Sequence, residues 1–257
     1  MRAEIARQQA LPVWLASPAI GSLFILLAGV GVWQAASTHR LIASPRGAVE
    51  ELYNGFADDS LLTHLTWSLQ ATMQGLGYAI VIGIALGLLF GLIRPLRRVF
   101  SELVYGFASV PKLVIYPILL VSLKIGMRSE IAFVAVAAVF PILINTMVGA
   151  QEVQPALIKV GRVFKASFWQ MIFKVFLPSV TPALIAGLRL GYSLGVLHAV
   201  LAEMFVARKG LGTQLIHAYS VQDISRMYAI ILLAFLLAVV GNILLWFVER
   251  KLRGCLA

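Results

Sequence analysis

The sequence predicts an all-α polytopic membrane protein with six transmembrane helices. Three observations predict it. Hydrophobic residues make up 60% of the 257 positions and charged residues only 12%, about half the charged share of a soluble domain. Six apolar runs approach or exceed the roughly 20 residues that cross a bilayer core. Those runs consume most of the chain, so no loop is long enough for a separate soluble domain. An ordinary soluble enzyme is excluded. The formal charge of +10 would suggest nucleic acid in a soluble protein, but the apolar excess takes precedence and no nucleic-acid partner is expected.

The runs follow in order. Residues 18–36 carry no charge, and an apolar core of this length exceeds the roughly 7–15 residues of a signal peptide, so an uncleaved first helix is expected. Residues 67–93 are also charge-free and long enough to span with tilt. Residues 103–123 contain one charge, Lys112, directly after Pro111, where a helix is expected to be interrupted. Residues 131–148 are charge-free, 181–206 contain Arg189, His198 and Glu203, and 227–248 are charge-free. Within the second run Gly83, Gly87 and Gly91 recur every four residues, a small-residue face that lets a neighbouring helix approach closely.

Basic residues orient the spans. With a cytoplasmic N-terminus, the inside segments hold Arg2 and Arg7; Arg94, Arg97 and Arg98; Lys159, Arg162, Lys165 and Lys174; and Arg250, Lys251 and Arg253. The outside segments hold Arg40, Arg46, Lys124, Arg128, Arg208, Lys209 and Arg226 over a greater loop length. Both termini are therefore expected in the cytoplasm. The longest cytoplasmic connection, around residues 155–178, is not loop-like. Val160, Phe164, Phe168, Ile172 and Phe176 recur every four residues, which predicts one apolar stripe with lysines and an arginine elsewhere around the helix. A pair of short amphipathic helices bent near Ala166 and Ser167 is expected. Composition leaves two uses open: a helix lying among anionic headgroups, or a docking element for a cytoplasmic partner.

The stretch from Lys165 to Gly212, with Leu177-Pro178 closing the loop, resembles the signature of the membrane subunits of bacterial binding-protein-dependent ABC importers. The segments "SPRGAVEEL" (44–52), "GIALGLLFGLIRPLRR" (83–98) and "FPILINTMVGAQEVQPAL" (140–157), with "AGLRLG" followed by "LAEMF", resemble the nitrate, sulfonate, taurine and bicarbonate branch. The resemblance covers roughly residues 42–250. It implies a type I importer permease fold over residues 1–257, in the bacterial inner membrane, moving a small anion such as a sulfonate, taurine or nitrate. It also implies a second permease copy, two cytoplasmic ATPase subunits holding ATP and magnesium, and a periplasmic solute-binding protein. Residues 155–178 would be the coupling loop, with Arg162, Phe164, Lys165, Ala166, Ser167 and Trp169 contacting the ATPase. Phe164 and Trp169 would anchor, and Arg162 and Lys165 would pair with acidic rim groups. The chain departs from the family pattern where Lys159, Val160 and Gly161 replace Glu-Ala-Ala and Lys165 replaces a Gly. Because only glycine takes positive φ cheaply, the turn is expected either to avoid positive φ or to differ locally from the family.

No cofactor site is expected in this chain. A phosphate-cradling loop needs Lys followed by Ser or Thr, and none of the lysines is so followed. The single cysteine, Cys255, is read as an incidental thiol, and His39, His64, His198 and His217 form no metal-binding spacing. Ionisable groups at bilayer depth cost about 2.5–3.5 kcal/mol each on insertion scales, so each needs a reason. Arg189 is expected to bond to another helix, and Glu203 to reach the interface. His198 is expected to line the substrate path with Gln70, Gln74 and Asn145, where donors without a deep well suit release. Stitching helices together is an equal alternative for the three amides. Two other functions compete with that of an importer. An ion-coupled carrier using His198 and Glu203 would show internal repeats and midplane carboxylates, and an intramembrane enzyme would need a nucleophile and base or metal ligands. Neither pattern is present.

Overall fold

The computed structural model describes residues 18–39 and 42–256. Arg2, Arg7 and Arg40 lie outside the described residues, as do the side chains of Arg253 and Cys255. Every regular element among the described residues is helical. Helix α1 (Pro18–Ala36) is followed by the amphipathic α2 (Pro45–Ala57), whose N-cap Ser44 accepts the Gly47 N–H. Next come α3 (Ser60–Leu92) and α4 (Arg94–Ser109), a 3-10 turn (Lys112–Ile115), α5 (Tyr116–Leu123) and α6 (Met127–Gln151). The second half contains α7 (Pro155–Val163), α8 (Phe168–Met171), a π turn (Ile172–Phe176), α9 (Leu177–Val206), α10 (Leu211–Ser220) and α11 (Ile224–Leu256). Asp58, fully exposed ahead of α3, accepts the Ser60 N–H at 3.0 Å, and its hydrogen bonds with Ser60 hold its carboxyl below the usual range.

Four stretches are long and apolar enough to cross a membrane: Ser60–Leu92, Met127–Gln151, Phe168–Phe205 and Ile224–Leu252. The third predicted span is not one rod. Helix α4 and the segment Lys112–Leu123 meet at a bend of 85°, because Pro111 supplies no N–H and pushes Val110 into extended backbone.

Packing shows how the chain threads the bundle. A Cβ at Gly75 would meet Val134, one at Gly83 Ile142, one at Gly87 Thr146 and one at Gly91 Ala150. Residue numbers rise together on both helices, so α3 and α6 run parallel, their backbones brought close by the expected glycine face. Two parallel helices require the bent segment between them to return the chain to the starting end. It therefore acts as one broken crossing. Helix α9 is antiparallel to α6: Gly187 abuts Asn145, Gly191 the Ala138 carbonyl and Gly195 Val134. Helix α11 is antiparallel to α9, with Tyr192 donating to the Leu237 carbonyl, Asn242 donating to Ser193 and Glu249 lying 3.5 Å from Arg189. Arg189 thus bonds to another helix, as expected. Helix α1 leaves residues such as Phe24, Ile25 and Val32 exposed and is tied to the rest through Trp33, which donates to the Ala43 carbonyl and stacks on Tyr228.

These directions sort the charges. Arg94, Arg97 and Arg98 follow α3, Lys159 to Lys174 lie between α6 and α9, and Arg250 and Lys251 end α11, so all share one end of the bundle. The opposite end holds Arg46, Lys124, Arg128, Arg208, Lys209 and Arg226.

Candidate functional site

At the end rich in basic residues, α7 and α8 form a helical hairpin. Helix α7 stops in a Schellman turn: the Ala166 N–H donates to the Gly161 carbonyl at 2.9 Å and the Lys165 N–H to the Arg162 carbonyl at 3.0 Å. Lys165 occupies the left-handed position of that turn, with φ of +50°. The turn therefore does not avoid positive φ but is built with it, on a lysine. Ser167 begins α8 with a capping box, accepting the Gln170 N–H while its own N–H donates to Gln170 Oε1. Gly161 is buried against the Met171 side chain, which would have to shift to admit a Cβ. Two caps and one close contact fix the hairpin angle.

The bend near Ala166 and Ser167 stands where the sequence placed it, but the single stripe does not. The turn at residues 164–167 separates Val160 and Phe164 from Phe168, Ile172 and Phe176, so four-residue spacing no longer marks one face. Arg162, Phe164, Lys165, Ala166 and Ser167 are gathered at the hairpin tip, where Phe164 is 80% exposed. Trp169 is placed differently. It stacks on Phe173, meets Phe168 edge-on, and lines an apolar groove of about 510 Å³ with Ile84, Leu88 and Leu92 of α3.

A second feature lies at mid-height of the bundle. Where the broken span parts, a cavity of about 370 Å³ is lined by Lys112, Phe140, Pro141 and His198 among smaller apolar side chains of α4, α6 and α9. Irregular backbone at this depth is tolerated where it is buried in protein or lines a cavity. Lys112 Nζ donates to the carbonyls of Phe107, Ala108 and Val110 at 2.6–3.0 Å and lies over the Phe140 ring. It closes the open end of α4. His198 bonds through Nδ1 to the Leu194 carbonyl at 2.7 Å and packs edge-on against Phe133.

The structure does not bring the other proposed path residues to this cavity. Asn145 donates to the Pro141 carbonyl of its own helix and sits under Gly187. Gln70 is exposed on α3, and Gln74 lines a separate cleft with Gly77, Tyr78 and Val81. Lys112, which the sequence flagged only as an anomaly, lines the cavity with His198.

Glu203 is a correction. It does not reach an interface but is 1% exposed, because α10 folds back over it. Three successive amides opening α10 find three side chains: Gly210 N–H meets His64 Nδ1, Leu211 N–H meets Ser68 Oγ, and Gly212 N–H meets Glu203 Oε2, all at 2.9–3.0 Å. Arg226 extends the network to Gln214 and Glu51. Beside it the buried Glu130 accepts the Trp67 indole N–H. The only sequence signal for this cap is His64 and Ser68 four residues apart on one face of α3.

Residues 79–254 match the family described as the binding-protein-dependent transport system inner membrane component. The taurine transport permease TauC of Escherichia coli is 31% identical over 203 residues, covering 75% of this chain and 73% of that protein. The nitrate import permease NrtB of Synechocystis is 32% identical over 212 residues, covering 79% and 76%. The bicarbonate transport permease CmpB of Synechococcus elongatus is 32% identical over 206 residues, covering 80% and 73%. A solved inward-facing structure of the methionine ABC transporter MetNI superposes with a TM-score of 0.65 at 22% identity, over 77% of this chain and 96% of that one. An all-helical bundle with a broken crossing and a capped hairpin between two long spans is the fold of an ABC importer permease. The chain belongs to this family and is a multi-pass inner-membrane permease that works with ATPase subunits and a binding protein, not itself the catalytic component.

Proposed function

We propose that the chain carries a small anion, such as a sulfonate, taurine, nitrate or bicarbonate, from periplasm to cytoplasm as one half of a homodimeric pathway. Two ATPase subunits beneath it would hold ATP and magnesium. The names of the relatives support the substrate class. The gathering of Arg94, Arg97, Arg98, Lys159, Arg162, Lys165, Lys174, Arg250 and Lys251 at one end supports a cytoplasmic hairpin, by the positive-inside rule. Six crossings with both termini on that side follow if α1 crosses as well.

One observation carries the mechanism. From Phe168 to Phe205 the chain is a single helical path of 38 residues, about 57 Å at 1.5 Å per residue. It starts in the hairpin, passes through the π turn and reaches the cavity at His198. An ATPase groove holding the Phe164 tip, with Arg162 and Lys165 against acidic rim groups, would move α9 as a lever. Ala166 permits close approach at the turn, and Ser167 acts by fixing the angle of α8. Trp169 lines the groove along α3, so a push at the tip would reach a second span there.

Affinity capture from native membranes should recover the ATPase, and uptake into vesicles should stop when ATP is removed while an ion gradient is kept. Uptake that persists on the gradient alone, with no ATPase recovered, would replace this reading with a secondary carrier.

A further inference from the structure

The cavity at the broken span contains more chemistry than a passage needs. Its lining is apolar except at Lys112 and His198, and these two groups offer opposite things to a solute. Lys112 offers charge. Its three N–H groups are occupied by the carbonyls of Phe107, Ala108 and Val110, so an anion would feel the ammonium without taking a direct hydrogen bond from it. Attraction without a strong contact gives a shallow well, as a site that must release its solute requires. His198 offers a lone pair. A carbonyl accepts only, so the 2.7 Å contact with the Leu194 carbonyl places a proton on Nδ1. The neutral ring then has Nε2 as an acceptor.

A cation and an acceptor in one apolar cavity select a particular kind of anion. Nitrate and simple alkanesulfonates carry acceptors only, and beside Nε2 they set lone pair against lone pair. An aminosulfonate or bicarbonate carries a negative group for Lys112 and an N–H or O–H for His198. We infer that the Lys112–His198 cavity is a recognition point on the translocation route for small anions that also carry a hydrogen-bond donor. This rests on the anion-permease reading above.

The test uses the permease with its ATPase and binding protein in proteoliposomes, with ATP on the ATPase side and labelled taurine, ethanesulfonate, bicarbonate and nitrate as probes. Ethanesulfonate is taurine without the amino group. Taurine or bicarbonate should be taken up in preference to the donor-free anions. Uptake of none of the four sinks the anion reading itself and this inference with it, whereas uptake of nitrate or ethanesulfonate alone sinks only the inference. Lys112→Gln keeps an N–H donor for the α4 carbonyls but removes the charge. It should cut kcat/KM for uptake per assembled complex about tenfold or more, with Lys112→Arg restoring it. His198→Phe keeps the ring contact with Phe133 and removes the acceptor. It should lower taurine uptake about tenfold and, by removing the opposing lone pair, raise ethanesulfonate uptake, so that the preference between the two narrows. Wild-type uptake by Lys112→Gln, or equal losses of both sulfonates in His198→Phe, overturns the assignment.

Discussion

The amide of Ala166 reaches back to the carbonyl of Gly161 at 2.9 Å, closing a turn whose left-handed position is held by Lys165 at φ +50°. Outside glycine this conformation costs about 1–2 kcal/mol. Lys165→Gly should therefore stabilise the hairpin by about 1 kcal/mol, less than the full penalty because glycine also frees the unfolded chain. Lys165→Val should destabilise it, since a β-branched side chain fits that region worst. Thermal unfolding of the purified permease in detergent reads both, and an unchanged midpoint for glycine would show that the turn is not strained by its lysine.

Lys165 also shows what the sequence could not convey. Apolar runs and the glycine spacing at Gly83, Gly87 and Gly91 made α3, its parallel neighbour α6 and the later spans legible, because bilayer length and close packing are local requirements written in composition. Pro111 marked the interruption of the third span. The four-residue stripe from Val160 to Phe176 misled, because the expected bend at Ala166 and Ser167 breaks the period through a left-handed residue at Lys165, and a lysine gives no sign of that conformation. Glu203 was misplaced for a different reason. Its burial depends on α10 folding back from beyond residue 210, a tertiary event that no feature near Glu203 encodes. In the cavity, His198 was legible as a polar group at depth, but its companionship with Lys112 depends on where α4 stops.

The capped start of α10 makes Glu203 a structural acceptor. Glu203→Ala leaves the buried Gly212 N–H without its partner and should cost about 1–3 kcal/mol. Glu203→Gln retains an oxygen that accepts and should cost less. Gly210→Ala should be as damaging as the alanine change at 203, since Gly210 has φ of +118° and an added Cβ would overlap the Glu203 carboxyl. Thermal midpoints rank the three variants, and a Glu203→Gln loss equal to that of Glu203→Ala would mean that the charge itself holds the cap.

Phe164 and Trp169 should separate in a binding experiment although the sequence treats them alike. Phe164 projects from the tip with 80% of its surface exposed, while Trp169, 65% exposed, stacks on Phe173 and lines the apolar groove along α3. As a buried anchor in the complex, Phe164→Ala should weaken ATPase association by about 2 kcal/mol or more, roughly thirtyfold, with the thermal midpoint of the permease unchanged. Trp169→Ala should lower that midpoint as well as the affinity. Titrating the ATPase onto nanodisc-embedded permease measures the first effect, and a Phe164→Ala variant that binds normally would place the anchor elsewhere.

Gly77 and Gly87 lie on the same helix and provide an internal control for its packing. An added methyl at Gly77 meets nothing within 4 Å, whereas one at Gly87 would press on the Thr146 side chain and the Leu143 carbonyl at 2.6–2.9 Å. Backbone cannot yield as a flexible side chain can, so Gly87→Ala forces α3 and α6 apart and should cost about 1–3 kcal/mol. Gly77→Ala should be neutral or slightly stabilising, because alanine favours the helix by up to about 1 kcal/mol. Both variants can be compared by thermal unfolding in detergent. Equal losses at the two positions would mean that Gly77, too, is packed against a neighbour in the assembled transporter.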